Sequence, residues 1–172
     1  MSLSAAIIVK DEADRLDACL TSLRGLVDEI VVVDTGSTDP SVAVAQQHGA
    51  IVAHEPWQGD FATPRNRSLD LVSGDWVLYV DADEQVQGDP AAIRERLDAA
   101  GDCVALRVRF IPKVAWTPFR ELRLWRNRPD IRFQNPVGPS CGSAPTTAST
   151  VWDGASATIV NTMPWPAQVS ER

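Results

Sequence analysis

The first apolar stretch, Ala5-Ala6-Ile7-Ile8-Val9, is unbroken, and a second, Ile30-Val31-Val32-Val33, sits inside Glu29 to Asp34 with no polar residue at alternate positions. Runs of this kind suit strands covered on both faces, as in a parallel sheet. Between them Leu16, Cys19, Leu20 and Leu23 recur at helical steps among charged residues, and Gly25 closes the stripe. Asp39 as N-cap and Pro40 as first helical residue predict a second helix to about His48, with Gly49 as its stop. A third strand is expected over 50–54, a loop over 55–60, a helix over about 61–72 and a fourth strand over 75–81. Asp89 and Pro90 then open a helix whose face carries Ile93, Leu97 and Ala100, ended by Gly101.

Strand and helix in this alternation predict an α/β fold. The sheet is mainly parallel and flanked by helices, with its binding crevice beyond the carboxyl ends of the strands. After Gly101 the pattern changes to strands over 103–110, 121–126 and 131–134, a strand-rich C-terminal portion. From Pro136 onward the chain is Pro, Gly, Ser, Thr and Ala with almost no charge, a loop or disordered composition rather than a core element. The expected organisation is therefore a domain over 1–135 and a Pro/Gly/Ser/Thr-rich tail over 136–172, disordered or truncated.

A length of 172 residues fits one domain, and 44% hydrophobic with 23% charged residues is the globular average. Against 16 basic side chains stand 23 acidic ones, a net charge of −7 that argues against a general nucleic-acid binder. The charge is unevenly spread: residues 1–100 hold 7 basic and 18 acidic side chains, residues 101–135 hold 8 and 3. The basic strip is Arg107, Arg109, Lys113, Arg120, Arg123, Arg126, Arg128 and Arg132. Cys19, Cys103 and Cys141 form no CxxC pair, which fits a reducing compartment without a zinc site or disulfide framework. No apolar run approaches the ~18 residues of a membrane span; the expected location is cytoplasmic, with a peripheral position on the inner face of the membrane compatible with it.

Asp81-Ala82-Asp83-Glu84 ends the fourth apolar run. Strand alternation puts Asp81 and Asp83 on one side, roughly 6–7 Å apart at Cα, where their hard oxygens suit Mg²⁺ or Mn²⁺ rather than zinc. The competing reading is a solvated turn leading into the Asp89 helix. Asp34-Thr35-Gly36-Ser37-Thr38-Asp39 combines a glycine turn with hydroxyl and backbone donors at a helix start, suited to an anion or a polar ring. Alone it is also a capped strand-to-helix turn. Arg65 can neutralise a phosphate across the crevice, or be a solvated helix residue. Trp76 and Trp125 read as core, whereas Trp57 and Trp116 lie in loops where they either anchor or stack on a base or sugar. His48 and His54 have no metal-ligand partner at suitable spacing.

Four segments in order, Ala6-Ile7-Ile8-Val9-Lys10-Asp11-Glu12, Val27 to Asp39, Asp60-Phe61-Ala62-Thr63-Pro64-Arg65-Asn66 and Gly74 to Glu84, resemble family 2 glycosyltransferases, and most closely bacterial members that modify cell-envelope glycans. The resemblance covers about residues 4–135. It implies a GT-A fold and an inverting, metal-dependent, hexosyltransferase-type reaction on a nucleotide-diphospho sugar, a UDP-sugar above all. It further implies that Asp34 accepts from the base edge and that Val9 and Asp11 border base and ribose. Gly36, Ser37 and Arg65 belong to the same nucleotide site, Asp81 lies near ribose and metal, and Asp83 binds the Mg²⁺ or Mn²⁺ that bridges the phosphates. Glu121 in Phe119-Arg120-Glu121-Leu122-Arg123 matches a family segment and is the candidate catalytic base; an ion pair with Arg123 or Arg126 is the alternative. Two departures stand out. Relatives commonly carry Val-His-Glu where this chain has Pro136-Val137-Gly138-Pro139-Ser140, and Asp11 replaces the usual Asn.

The implied partners are the sugar donor and a glycan, lipid or protein acceptor, without nucleic acid. Two other functions compete: a catalytically incomplete nucleotide-binding regulatory or interaction module, and a sugar-1-phosphate nucleotidyltransferase. The latter usually carries a Gly-rich loop after its first strand, and Lys10-Asp11-Glu12-Ala13 has no glycine.

Overall fold

The computed structural model describes residues 1–111, 117–135, 138–141, 149–150 and 157–161. Strand β1 (Leu3–Val9), helix α1 (Ala13–Ser22), β2 (Glu29–Asp34), α2 (Ser41–Gln47), β3 (Ile51–His54), α3 (Ala62–Leu71) and β4 (Trp76–Tyr79) follow the expected alternation. They are followed by β5 (Glu84–Gly88), α4 (Pro90–Asp98), β6 (Ala105–Ile111), β7 (Phe119–Arg126) and β8 (Ile131–Asn135). Three short strands complete the described chain: β9 (Gly138–Cys141), β10 (Ser149–Thr150) and β11 (Ala157–Asn161).

The main sheet runs β3-β2-β1-β4-β7-β6-β11-β5, with β10 also on β6. Its first four strands are parallel, in register Ala5↔Ile30, Ala5↔Leu78 and Val33↔Ala53. β7 runs antiparallel to β4 and β6, β11 parallel to β6, and β5 antiparallel to β11. The β8–β9 hairpin stands apart from this sheet. The unbroken apolar runs of β1 and β2 are buried on both faces because α1 and α4 cover one side and α3 with β8 the other. Leu16, Leu20, Ile93 and Leu97 pack on Leu3, Ile7 and Val32, while Leu69, Ile131 and Phe133 pack on Ala6, Val31 and Trp125. Trp76 and Trp125 are buried as expected. Asn66 fastens the hairpin to α3, its amide donating to the Phe133 carbonyl at 2.8 Å and accepting from the Phe133 N–H at 2.9 Å.

Three expectations are corrected. Asp89 caps α4 by accepting from the Ala91 N–H at 3.0 Å, but α2 begins one residue later than expected, with Pro40 rather than Asp39 at its N-cap position. The strand expected to reach Asp81 stops at Tyr79. Asp81 to Glu84 is a turn, closed by the Glu84 N–H on the Asp81 carbonyl at 3.0 Å, so strand alternation does not govern Asp81 and Asp83. The third lies beyond Pro136: residues 157–161 form β11 inside the main sheet, with Ile159 fully buried, so a boundary at residue 135 cuts through the domain. Lys113, Trp116 and most of 136–172 lie outside the described residues.

At Gly74 the reason for glycine is a close approach. A Cβ there would stand 2.6 Å from Ser4 Oγ and 2.9 Å from Ser4 N, in the bend that returns the chain from α3 to β4. Among the described residues no helix is long and apolar enough to cross a membrane.

Candidate active site at the carboxyl ends of the parallel strands

β2, β1 and β4 are neighbours, and their carboxyl ends carry the polar motifs. Two loops meet at the β1 and β2 exits. Asp11 has φ 52°, a left-handed conformation that Asn and Asp tolerate better than other side-chain-bearing residues. Its carboxylate accepts from the Thr38 N–H (2.6 Å), the Thr38 hydroxyl (3.1 Å) and the Asp39 N–H (3.3 Å), and its own N–H donates to Ser37 Oγ at 3.0 Å. The Thr38 backbone bond, ahead of the other contacts, holds the Asp11 carboxyl below the usual carboxylate range. Asp39 accepts from the N–H groups of Ala13 and Ser41, both at 2.9 Å, and so ties the starts of α1 and α2 together.

Asp34 is buried. Its oxygens accept from the N–H groups of Gly36 (3.2 Å) and Ser37 (3.1 Å), and His54 Nδ1 lies 3.2 Å away. Gly36 at φ 110° makes this tight turn possible. Burial alone would raise the Asp34 carboxyl, but the bonds from Ser37, His54 and Gly36 outweigh it and hold it below its usual range. The Val9 carbonyl accepts both the N–H and the hydroxyl of Thr35, at 2.9 and 3.0 Å, so both its lone pairs are committed. Val9 borders the site without a vacant acceptor.

The stability that a lowered carboxyl gives is complete above the unfolded value near 4, and is lost as pH falls through the folded value. The melting temperatures of wild type and Asp34→Asn are therefore expected to differ at neutral pH and to converge below about pH 4. A gap that stays constant across that range would remove Asp34 from the acid transition.

At the β4 exit Asp81 is held from three sides. The Tyr79 hydroxyl donates to Oδ1, Arg65 lies 3.6 Å from the same oxygen, and Arg123 lies 3.5 Å from Oδ2. Arg65 sits in an aromatic cage, its guanidinium carbon 5.2, 4.9 and 5.4 Å from the ring centres of Phe61, Tyr79 and Phe133. Phe61 is itself stacked edge-on by half-exposed Trp57 at 4.6 Å. Burial pushes the Glu84 carboxyl up to about 8, with Asp81 and Asp83 acting the same way against Arg123. Burial also raises the Cys19 thiol, whose Sγ donates to the Asp81 carbonyl at 3.6 Å, so it stays protonated beneath the acidic turn. Glu121 is drawn to Arg123, its Oε2 standing 3.1 Å from Nε. That ion pair is the alternative raised from the sequence.

Asp34, Gly36, Ser37 and Asp11 are thus joined in one cluster, Arg65 and Asp81 in a second, and Asp83 stands in the same turn as Asp81. The sequence reading did not find Glu84 as a buried partner, Arg123 as its counter-charge, or His54 on Asp34. One signal was present: Arg123 lies in Leu122-Arg123-Leu124-Trp125, and a charge inside an apolar run points to a buried pair.

The donor set was tested for a divalent cation. Among the described residues no three His, Cys, Asp or Glu side chains form a complete cage. Mg²⁺ does not need one, because it is commonly held by one or two carboxylates plus phosphate oxygens and water. Asp81, Glu84 and Glu121 face the guanidiniums of Arg65 and Arg123, and Asp83 stands in the same turn as Asp81. Two aspartates on one turn offer hard oxygen donors that fit one divalent ion.

A family model described as glycosyl transferase family 2 matches residues 4–150. A TPR repeat-containing protein of Synechococcus elongatus is 40% identical over 136 residues, covering 78% of this chain and 34% of that protein. An uncharacterized glycosyltransferase of Rickettsia felis is 43% identical over 84 residues, 49% of this chain and 29% of the relative. The chain therefore spans about a third of the length of these curated relatives. Among solved structures, S. aureus TarS 1-349 in complex with UDP superposes with TM-score 0.59 at 22% identity, covering 68% of this chain and 38% of that one. Glucosyl-3-phosphoglycerate synthase of Mycobacterium tuberculosis, in complex with Mn²⁺, UDP and glucosyl-3-phosphoglycerate, gives 0.53 at 24%, with 63% and 44% covered. These likenesses establish the fold, an open mixed sheet of the GT-A type.

Proposed function

This chain belongs to glycosyl transferase family 2, and on that footing we propose that it forms the donor-binding unit of a metal-dependent, inverting glycosyltransferase acting on a UDP-sugar. The observation that carries the reading is the meeting of the Asp34 turn, Arg65 and the Asp81–Glu84 turn at the carboxyl ends of three adjacent parallel strands, where ligands of open α/β sheets bind. In this reading Asp34 receives a donor from the base edge. Asp11, Gly36 and Ser37 shape the pocket wall, and Val9 closes it. Arg65, held by its aromatic cage, sets a positive charge against the diphosphate. Asp81 and Asp83 are the residues that would hold Mg²⁺ or Mn²⁺. When bound, such a cation supplies Lewis-acid stabilisation of the departing nucleoside diphosphate.

Inversion needs a carboxylate on the opposite face of the sugar to take the acceptor proton, and Glu121 is the candidate. Its Oε2 stands 3.1 Å from Arg123 Nε. We assign the acceptor to cell-envelope glycan synthesis and the site of action to the cytoplasm, with which a peripheral position on the inner face of the membrane is compatible. The M. tuberculosis synthase, with Mn²⁺ and UDP, and TarS, with UDP, lend support as relatives in fold.

Titration calorimetry with UDP, with and without Mn²⁺, followed by assay of UDP-sugar turnover, tests the proposal. Binding that strengthens with Mn²⁺, accompanied by release of UDP from a sugar donor, is expected. Absence of UDP binding would overturn it, and binding without turnover for any glycan acceptor would favour the non-catalytic module.

A further inference from the structure

We infer that Arg123 is a positioning residue for the cation-binding turn, acting through a buried pair with Glu84. The inference rests on the donor-site reading above and adds a residue pair to it. The Arg123 side chain is 7% exposed and that of Glu84 1%. The guanidinium grips Glu84 with two bonds, Nη2 to Oε1 at 2.9 Å and Nη1 to Oε2 at 3.2 Å, a bidentate geometry that only arginine offers. Its plane is flanked by aromatic rings, with Tyr79 at 5.0 Å and Phe110 at 5.1 Å from the guanidinium carbon.

Glu84 passes this order to the turn. Its Oε2 accepts from the Asp81 N–H at 2.8 Å while the Asp81 carbonyl accepts from the Glu84 N–H at 3.0 Å, so the first and last residues of the turn lock each other. Arg123 Nη1 reaches Asp81 Oδ2 as well, at 3.5 Å, and its Nε faces Glu121. One guanidinium therefore addresses carboxylates from the β4 exit, the start of β5 and β7. Pairs of this kind are often replaceable by apolar residues without loss of stability. The arrangement here fixes the direction of Asp81, which an apolar pair would not do. Groups that orient metal ligands in this way typically contribute 10–100-fold to metal affinity.

The readout is the ratio of UDP affinity in Mn²⁺ to UDP affinity in EDTA, measured by calorimetry on the full chain. Arg123→Lys keeps the charge and loses the fork and the planar stacking. Its ratio is expected to fall about 10-fold or more, with UDP affinity in EDTA unchanged, because the Asp34 turn does not touch Arg123. Glu84→Gln keeps size and the acceptor for the Asp81 N–H but loses the pair, and is expected to lower the ratio likewise. Circular dichroism melts establish that each variant is folded at the assay temperature. A folded variant with the wild-type ratio overturns the inference, as does an equal loss in Mn²⁺ and in EDTA, or failure of both variants to fold, each of which marks a purely structural pair. Wild type showing no Mn²⁺ enhancement would instead overturn the metal-dependent reading of the function.

Discussion

Asp83→Ala is expected to weaken UDP binding in Mn²⁺ on the order of 100-fold, about 2.7 kcal/mol, down to the level measured in EDTA. Glu121→Ala is expected to leave it within about twofold. The two carboxylates stand in different surroundings. Asp81 shares its oxygens with Tyr79, Arg65 and Arg123, and Asp83 is the second aspartate of the same turn. In the proposed donor site, removing Asp83 would take away one of the two carboxylates that would hold the cation. Glu121 belongs to β7 and its contact is with Arg123, which keeps Glu84 and Asp81 when Glu121 is truncated. Turnover, by contrast, should fall in Glu121→Ala if it takes the acceptor proton, where general-base catalysis is typically worth about 10²–10⁴-fold. Equal loss of UDP affinity in the two variants would show that the roles are wrongly divided.

The second large effect is on stability. Trp125→Ala is expected to cost about 3–5 kcal/mol, a sizeable part of the roughly 5–15 kcal/mol of an ordinary domain. Trp125 is buried to 2%, lies opposite Val77 of β4 and Ala105 of β6, and meets Phe133 of the hairpin edge-on at 5.9 Å. It thus fills the junction of the parallel half of the sheet, the antiparallel half and the β8–β9 hairpin, where no single neighbour can collapse into the space it leaves. Urea unfolding should show a lower midpoint with an unchanged slope; a loss under about 1 kcal/mol would mean the junction closes around the cavity.

The parallel half was legible because each of its strands has an unbroken apolar centre, and α4 because Asp89 and Pro90 mark its start. β5 and β11 were not. Glu84-Gln85-Val86-Gln87-Gly88 has one apolar residue with a strong strand preference, and Ala157 to Asn161 sits among Ser, Thr and Ala. Each is a strand because the other lies beside it, in register Val86↔Ile159, and pairing of that range leaves no local trace. Of the candidate residues, Asp34 and Asp81 could be named from residue type and position at strand ends, and Arg65 as a cation on the helix α3. The direction of Asp81 could not, since it depends on Glu84 and Arg123, which are 39 residues apart in sequence. Alternation misled at Asp81 and Asp83 because the strand ends two residues earlier than its apolar pattern suggests.

β11 also sets the order of events during synthesis. The chain leaves the ribosome from its N-terminus, and β1 to β4 can associate once Tyr79 has emerged. The neighbour of β5 in the sheet comes much later: Glu84 pairs with Asn161. At about 5–20 residues per second the intervening chain takes roughly 4–15 s to appear. Over that interval β5 has α1 beside it, the Val86 N–H donating to Ser22 Oγ at 2.9 Å, and Arg123 joins it once β7 has emerged, but its neighbour in the sheet is still to come.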